Sequence, residues 1–553
     1  MSVKSVPYKE LVVYQIWPRS FCDGNGDGIG DLLGIYSKLE YIKSLGVDAI
    51  WFSPLYASPQ KDYGYDISDY YSIAPEYGTM EDFKKVLDRA HELGMYVVMD
   101  LVINHTSNQH KWFLESRKGD NEYKDYYIWR KGKGKDGKKF PNNWTSTFPG
   151  DGWEYDEVRK EYYLHLFAVE QPDLNMDNPK VREEVKNIMR FYLDMGVDGF
   201  REDVINFISK REGLPNGFPI PAARGMEHYK NGPHIHEYLQ EFKTVWQEYG
   251  AFTVGEGPMV TPKVALTYLT EGEKQDLSMM FSFEHMSADG FIISWIRRPF
   301  NLRKLKRILN NWQTKLYNKG WNALFLENHD QPRIISRYGS EEFRIESGKA
   351  LATMYMMLCG TPYIYQGQEI GMLNAGFTKP SDYVDVNTFA FHDLLKKLGF
   401  SEKKIWELAS YAARDNGRTI MQWNDKENAG FSETKPWYFL NPNYKEINVE
   451  AALKDEDSIL NFYRELIKIR RENKVAIYGD FVLYDKRSKE QFVYARNYEG
   501  KRMLVMISFA KENTPLKVPK DFDLSKGKLL ITNYKTLLED SLQPYECRVY
   551  LFD

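Results

Sequence analysis

Cysteine is nearly absent. Cys22, Cys359 and Cys547 are the only three in 553 residues, and they are far apart and odd in number. That excludes a disulfide framework and points to a reducing compartment. Long apolar runs are missing too. The longest, "ALATMYMMLC" from Ala350, is about half the roughly 20 residues a membrane-spanning helix needs. The first residues, "MSVKSVPYKELVVYQIW", hold neither the apolar core nor the cleavage site of a secretory signal. Charge of one sign is also lacking. The formal net charge is -4, from 74 basic and 78 acidic residues, which argues against a nucleic-acid binder. The dense basic segment "RKGKGKDGKK" (130–139) is interrupted by glycines and reads as a solvated loop. What remains is a cytoplasmic enzyme of two or three domains, expected to be monomeric, with no membrane or nucleic-acid partner. Aromatics are plentiful, with 39 Tyr and 13 Trp. Flat rings suit the axial C–H faces of sugars, although large cores use the same residues.

The stretch "DGNGDGIGD" (23–31) alternates oxygen-bearing residues with glycine. Ile29 and Asp31 stand where a dinucleotide-binding fingerprint would need glycine, and no Gly-Lys-Ser/Thr follows, so a phosphate-cradling loop is excluded. An EF-hand-like frame fits better. Asp23, Asn25, Asp27, the Ile29 carbonyl and Asp31 occupy positions 1, 3, 5, 7 and 9, with Gly28 at the turn, but Gly34 replaces the bidentate Glu of position 12. A structural ion clamp and an ion-free Asx-turn loop both satisfy this pattern.

Along the chain one unit recurs: an amphipathic helix, a glycine stop, then a short apolar strand. Ile35, Leu39, Ile42 and Leu45 precede Gly46 and "VDAIWFSPLY"; Thr79 and Asp82 form a capping box before the helix that ends near Gly94 and "MYVVMDLVINH"; Asn178-Pro179 opens a helix ending at Gly196 before "VDGFREDVI". With "VVYQIWP", "FTVGE", "MMFSFEH", "NALFLENHD" and "PYIYQGQEIG" there are eight strands separated by helical patterns. This predicts an α/β fold, a (β/α)8 TIM barrel. The expected barrel covers 1–105 and 177–477, with a small inserted domain at 106–176 after strand 3. Alternating strands from Tyr478 predict a C-terminal antiparallel, sandwich-like β-domain, 478–553. The segment from "QGQEIG" to about Ala451 reads as long and irregular.

Barrel enzymes carry their chemistry at the C-terminal ends of the strands. There stand Asp100, Asn104 and His105 on strand 3, Arg201 and Asp203 on strand 4, Glu256 on strand 5, and His329 and Asp330 on strand 7. Carboxylates from several strands, without a zinc-spaced Cys/His cluster or a Ser/His/Asp set, are what glycoside hydrolysis uses: one ionised, one kept protonated.

"DLVINH", "GFREDVI", "VGEG" and "LENHDQPR", in this order, resemble the four conserved regions of the α-amylase superfamily, glycoside hydrolase family 13. "DYGYDISDYY", "NNWTSTF", "YYLHLFAVEQPDLN" and "RDNGRTIMQW" are similar to its oligo-1,6-glucosidase and α-glucosidase branch. The resemblance implies Asp203 as nucleophile, Glu256 as general acid/base and Asp330 as the third carboxylate. It implies that Arg201 keeps Asp203 ionised, that His105 and His329 donate to glucose hydroxyls, and that Tyr65 stacks under the ring. Asp62 and Arg418 would pair to grip the non-reducing glucose, and Phe148, Phe167 and Gln171 would line the rim. It also implies an Asp203–Glu256 separation of about 5–5.5 Å, as retention requires, and a structural Ca2+ in the 23–31 loop. Val204, after the nucleophile, implies a preference for α-1,6 linkages and isomaltose-type oligosaccharides. The rivals are an α-1,4-glucosidase, a trehalose-6-phosphate hydrolase, a dextran glucosidase, a sucrose isomerase and a non-catalytic barrel. A phosphate-reading relative would need cations at the pocket rim, and "IRRPFNLRKLKR" (296–307) could supply them. Glu202 departs from the branch, which usually has an apolar residue there, and is expected to need a cationic or hydrogen-bonded partner. Gln368 also departs, standing where relatives often have glutamate.

Overall fold

The computed structural model describes residues 5–220, 223–290 and 295–553. Eight parallel strands close into a barrel, each hydrogen-bonded to its sequence neighbours and the last to the first. They are β1 (Val13–Ile16), β2 (Ala49–Phe52), β3 (Tyr96–Leu101), β4 (Gly199–Glu202), β5 (Phe252–Gly257), β6 (Met279–Ser282), β7 (Asn322–Leu324) and β8 (Thr361–Tyr365). These are the eight expected strands. Nearly every strand residue is buried, as a parallel sheet covered on both faces requires.

The helix stops and starts follow local chemistry. Helix α1 (Leu32–Ser44) begins at Asp31, whose carboxylate accepts the Gly34 N–H at 2.6 Å. Helix α2 (Met80–Glu92) has the full Thr79/Asp82 capping box. Helix α3 (Pro179–Met195) starts at Asn178-Pro179 and stops at Gly196, whose φ of 113° suits glycine.

The insertion after β3 builds a three-stranded antiparallel sheet from Trp129–Arg130, Trp153–Asp156 and Glu161–Leu164. Its core of Ile128, Trp144, Trp153, Tyr162 and Leu164 is completed by Val204, Phe207, Leu214 and Tyr229 from the segment after β4. Trp144 Nε1 donates to the Pro215 carbonyl at 2.7 Å, and Asn142 Nδ2 to that of Leu214 at 3.0 Å. The unit therefore draws on residues outside the expected 106–176 span. Its core reaches Val204, next to the Asp203 end of β4.

The segment after β8 is more ordered than its sequence suggested. Helices Val386–Lys397 and Glu402–Ala412 pack with Trp295, Phe377 and Tyr383 into a separate apolar cluster. Only Thr388 and Leu395 of the first helix are buried, so its apolar period is faint. Beyond it lies the five-stranded antiparallel C-terminal sheet, in the order Val482–Tyr484, Gln491–Tyr498, Lys501–Ser508, Cys547–Phe552, Lys528–Thr532.

Candidate active site

The register of β3 against β4 sets Asp100 beside Arg201, so both project to the same side. Glu202, one residue on, faces the other way. Arg201 is 1% exposed and its guanidinium is shared by three carboxylates. Nη1 lies 2.7 Å from Asp100 Oδ1 and 2.7 Å from Asp203 Oδ1, and Nη2 lies 2.6 Å from Glu256 Oε2. The backbone N–H of Val204 also donates to Glu256 Oε2, at 3.1 Å. Val204 sits at φ 35°, ψ 40°, a left-handed conformation that a β-branched residue adopts only under strain.

One cation among three buried carboxylates leaves the cluster short of positive charge. Burial first, then Glu256 and Asp100, push the Asp203 carboxyl well above its usual range, against the pull of Arg201. Arg201 favours the ionised form of Asp203 by charge and by hydrogen bond, but its guanidinium is divided three ways. Burial likewise raises Asp100 to about 6, with Arg201 opposing.

Asp330 has the opposite environment. Burial opposes its ionisation, but the Arg414 and Arg418 guanidiniums outweigh it and hold the carboxyl below the usual range. Arg418 Nη2 reaches Asp330 Oδ1 at 2.9 Å and Arg414 Nη1 reaches it at 3.1 Å. His329 is kept neutral above about pH 3, by burial first and by the surrounding arginines. The Gln15 amide lies 2.8 Å from its Nδ1, which leaves Nε2 to bond the Tyr65 hydroxyl at 2.6 Å. Tyr65 also donates to Asp100 Oδ2 at 3.1 Å and lies parallel to His329, ring centroids 5.3 Å apart.

These residues floor a cavity of about 500 Å³, within the range of small-molecule sites. Asp62, Tyr65, His105, Phe148, Phe167, Asp203, Val204, Glu256 and Asp330 all line it. Gln171 stands behind the wall, its amide 3.2 Å from Asp62 Oδ2 and 3.1 Å from His105 Nε2. Phe148 and Phe167 meet edge to face at 5.5 Å, with Arg414 over the Phe148 ring.

The chain matches the family described as "Alpha amylase, catalytic domain" over residues 15–479. The chain belongs to the alpha-amylase family. It is 49% identical to the oligo-1,6-glucosidase of Parageobacillus thermoglucosidasius, covering 99% of each chain. It is 44% identical to the trehalose-6-phosphate hydrolase of Bacillus subtilis (strain 168), covering 100% of this chain and 99% of that one. Among solved structures it is similar to a trehalose-6-phosphate hydrolase of Bacillus licheniformis, with a TM-score of 0.92 at 44% identity and 99% coverage of both chains.

Three details of this alpha-amylase family site depart from the sequence reading. Asp62 pairs with Arg414, at 2.7 Å, and not with Arg418. Arg418 is fully buried and turns to Asp330 and Asp385. Both arginines stand in the turn Arg414–Arg418, so the motif alone did not say which one faces the pocket. Asp385 was missed. It is fully buried and touches Arg414 Nε at 2.5 Å and Arg418 Nη1 at 2.6 Å, off the hydrogen-bond direction, as ionic contacts. Glu202 is the third departure. It is buried, and among the described residues nothing hydrogen-bonds its Oε2. Burial, then Asp276, pushes the carboxyl up to about 8, so the strain of an unpaired charge is avoided by keeping it neutral. Gln368 is well partnered: its amide donates to the Tyr463 and Tyr355 hydroxyls at 2.8 and 3.2 Å.

In the 23–31 loop the carboxylates serve the backbone. Asp23 Oδ1 accepts from the N–H groups of Asn25 and Gly26, and its Oδ2 from Gly28; Asp31 accepts from Gly24, Asn25 and Gly34. Asp27 accepts from Ile29. Among the described residues no three His, Cys, Asp or Glu side chains gather as a metal cluster. An ion here would draw on the remaining lone pairs of Asp27 and Asp31 with the Asn25 amide oxygen and the Ile29 carbonyl, an all-oxygen set of the kind Ca2+ takes, whereas the Asp23 carboxylate, already accepting from Asn25, Gly26, Gly28 and Ser432, would have to give up one of those bonds. Among the described residues no helix is long and apolar enough to cross a membrane, and Cys22, Cys359 and Cys547 are all free thiols.

Proposed function

We propose that the protein is a retaining, exo-acting α-glucosidase that releases α-glucose from the non-reducing end of short oligosaccharides with α-1,6 linkages. The observation that carries this is the Arg201 fork, which holds Asp203 and Glu256 at its two ends beneath a pocket closed by the Asp62–Arg414 pair. Two carboxyls gripped by one guanidinium are near neighbours, the arrangement for double displacement rather than for placing a water between them. Asp203 attacks the anomeric carbon as the leaving oxygen takes a proton from Glu256. Glu256 then deprotonates a water that releases glucose with retained configuration. Asp330, firmly ionised, stabilises the oxocarbenium-like transition state and holds ring hydroxyls. Asp62 and Arg414 read the terminal hydroxyls and make the pocket blind, hence the exo action.

The α-1,6 preference is supported by the oligo-1,6-glucosidase relatives and by Val204, whose strained backbone fixes its side chain in the pocket wall. Its effect on linkage is steric, of about 1–3 kcal/mol. A second reading, hydrolysis of trehalose 6-phosphate, is favoured by the acceptor wall. There Arg297 and Arg337 share the single carboxylate of Asp289, at 3.0 and 2.8 Å, which leaves surplus positive charge. An activity panel of isomaltose, maltose, sucrose and trehalose 6-phosphate, with Asp203→Asn as control, separates these. Isomaltose should be cleaved fastest. A preference for trehalose 6-phosphate selects the second reading, turnover of maltose without isomaltose removes the linkage assignment, and an unimpaired control removes the mechanism.

A further inference from the structure

Of the basic run 296–307, only Arg297 reaches the catalytic pocket. Asn301, Arg303, Lys304 and Arg307 help line a second cleft, about 490 Å³, between the first turns of the helix Leu302–Leu316 and the edge strand Val482–Tyr484 of the C-terminal sheet. Arg303, Lys304 and Arg307 line it from the helix and Lys486 from the other domain, and no lining residue is acidic.

A merely solvated helix face would alternate charge or pair it at i±4. This one does neither. The helix "LRKLKRILNNWQTKL" contains no Asp or Glu. Arg303 and Arg307 are like charges one turn apart, near the positive end of the helix dipole, where cations are disfavoured. Among the described residues Arg303, Arg307 and Lys486 have no ion-pair partner. Beneath them the fully buried Lys306 donates to two neutral carbonyls, Asp485 at 2.7 Å and Gln491 at 2.9 Å. Its ammonium is pushed down to about 8, by burial first, with Arg303 and Lys517 adding repulsion against Asp485. Local rules are broken where two domains meet, and the nearby carboxylate of Asp485 already faces Lys306 and Lys517, which leaves Arg303, Arg307 and Lys486 unanswered.

We infer that this cleft binds a small phosphorylated metabolite, a polyanion of sugar-phosphate size. The two guanidinium groups supply planar forks for phosphoryl oxygens, and Lys486 closes the site from the other domain. The site touches the segment that lines the catalytic pocket through two contacts. Lys304 Nζ donates to the carbonyl of Ser287, which lines that pocket, and the N–H of Asn301 donates to Ala288 at 3.2 Å. An anion that draws Lys304 away loosens the acceptor wall.

The test is calorimetric titration of the full-length protein with glucose 6-phosphate, pyrophosphate and inorganic phosphate at constant ionic strength. A saturating iminosugar keeps the catalytic pocket filled. One saturable site is expected. Affinity should fall about tenfold or more in Arg303→Ala/Arg307→Ala and, independently, in Lys486→Ala. Turnover of a nitrophenyl glucoside without effector should be unchanged in both. Tighter binding of glucose 6-phosphate than of the inorganic anions identifies a sugar phosphate as the ligand, and the reverse order identifies free phosphate. Absence of saturable binding, or binding that survives both sets of substitutions, overturns the proposal.

Discussion

Glu202→Gln isolates a carboxyl whose burial is written into the strand alternation. The folded chain raises this group from 4.5 to about 8, so it binds its proton far more tightly folded than unfolded. Between those two values the unfolded state carries fewer protons, and stability falls as pH rises, by up to about 1.4 kcal/mol per pH unit. The contribution is fully present below the unfolded value and is lost by about pH 8. From about pH 5 to about pH 7 the loss is about 3 kcal/mol. Glutamine keeps the shape and cannot ionise. Its buried amide adds a cost of about 1–3 kcal/mol that does not change with pH. The level of stability in the variant therefore decides nothing, and the slope decides everything. Urea unfolding followed by tryptophan fluorescence, run on both proteins from about pH 5 to about pH 8, should show the free-energy difference shifting steadily in favour of the variant by about 3–4 kcal/mol. Parallel curves would refute the claim that Glu202 is carried as a neutral acid.

Four further outcomes follow from the same geometry. Asp62 and Asp100 are both raised to about 6, by burial first, so kcat/KM should drop on the acid side near pH 6 as these groups protonate; a limb at ordinary carboxylate values would contradict the burial argument. Arg414→Ala leaves Asp62 without its cation and should cost about 2–5 kcal/mol in kcat/KM, whereas Arg418→Ala, which undercuts Asp330 and Asp385, should lower the unfolding midpoint as well; equal effects of both on KM alone would restore the Asp62–Arg418 pairing. Val204→Gly relieves a left-handed valine and should leave stability within about 1 kcal/mol, yet it frees the N–H that orients Glu256, so slow, poor leaving groups should suffer more than nitrophenolate. Adding Ca2+ at about 100 times its Kd to chelated protein should raise stability by about 2.7 kcal/mol with little change in kcat; no shift assigns residues 23–31 to the ion-free Asx-turn form.

The barrel was legible because its information is local. Each helix carries its own cap and stop, as Asp31, Thr79 and Gly196 show, and each strand is an apolar run of fixed length. The positions of Arg201, Asp203, Glu256 and Asp330 follow from the rule that strand ends face one mouth, and Glu202 could be placed outside the axis by alternation alone. What alternation does not carry is who sits opposite. Glu202 needed the position of Asp276, some seventy residues away, before its answer could be seen as protonation and not pairing. Arg414 and Arg418 lie one turn apart in the same motif, and only the buried Asp385 beneath them makes one face the cavity and the other the third carboxylate.

The same limit explains Arg201. Sequence pairs it with the nearest carboxylate, Asp203, and concludes that the nucleophile is ionised. Register adds Asp100 from one neighbouring strand and Glu256 from the other, so the guanidinium that favours the ionised nucleophile is shared among three carboxyls. With one guanidinium facing three carboxyls, burial and mutual repulsion raise the Asp203 and Asp100 carboxyls against the pull of Arg201. How strongly Asp203 is held ionised is therefore set by the charge count in the site and not by its nearest partner alone. Removing Arg201 would not free Asp203 to attack; it would deepen the deficit and protonate the nucleophile as well.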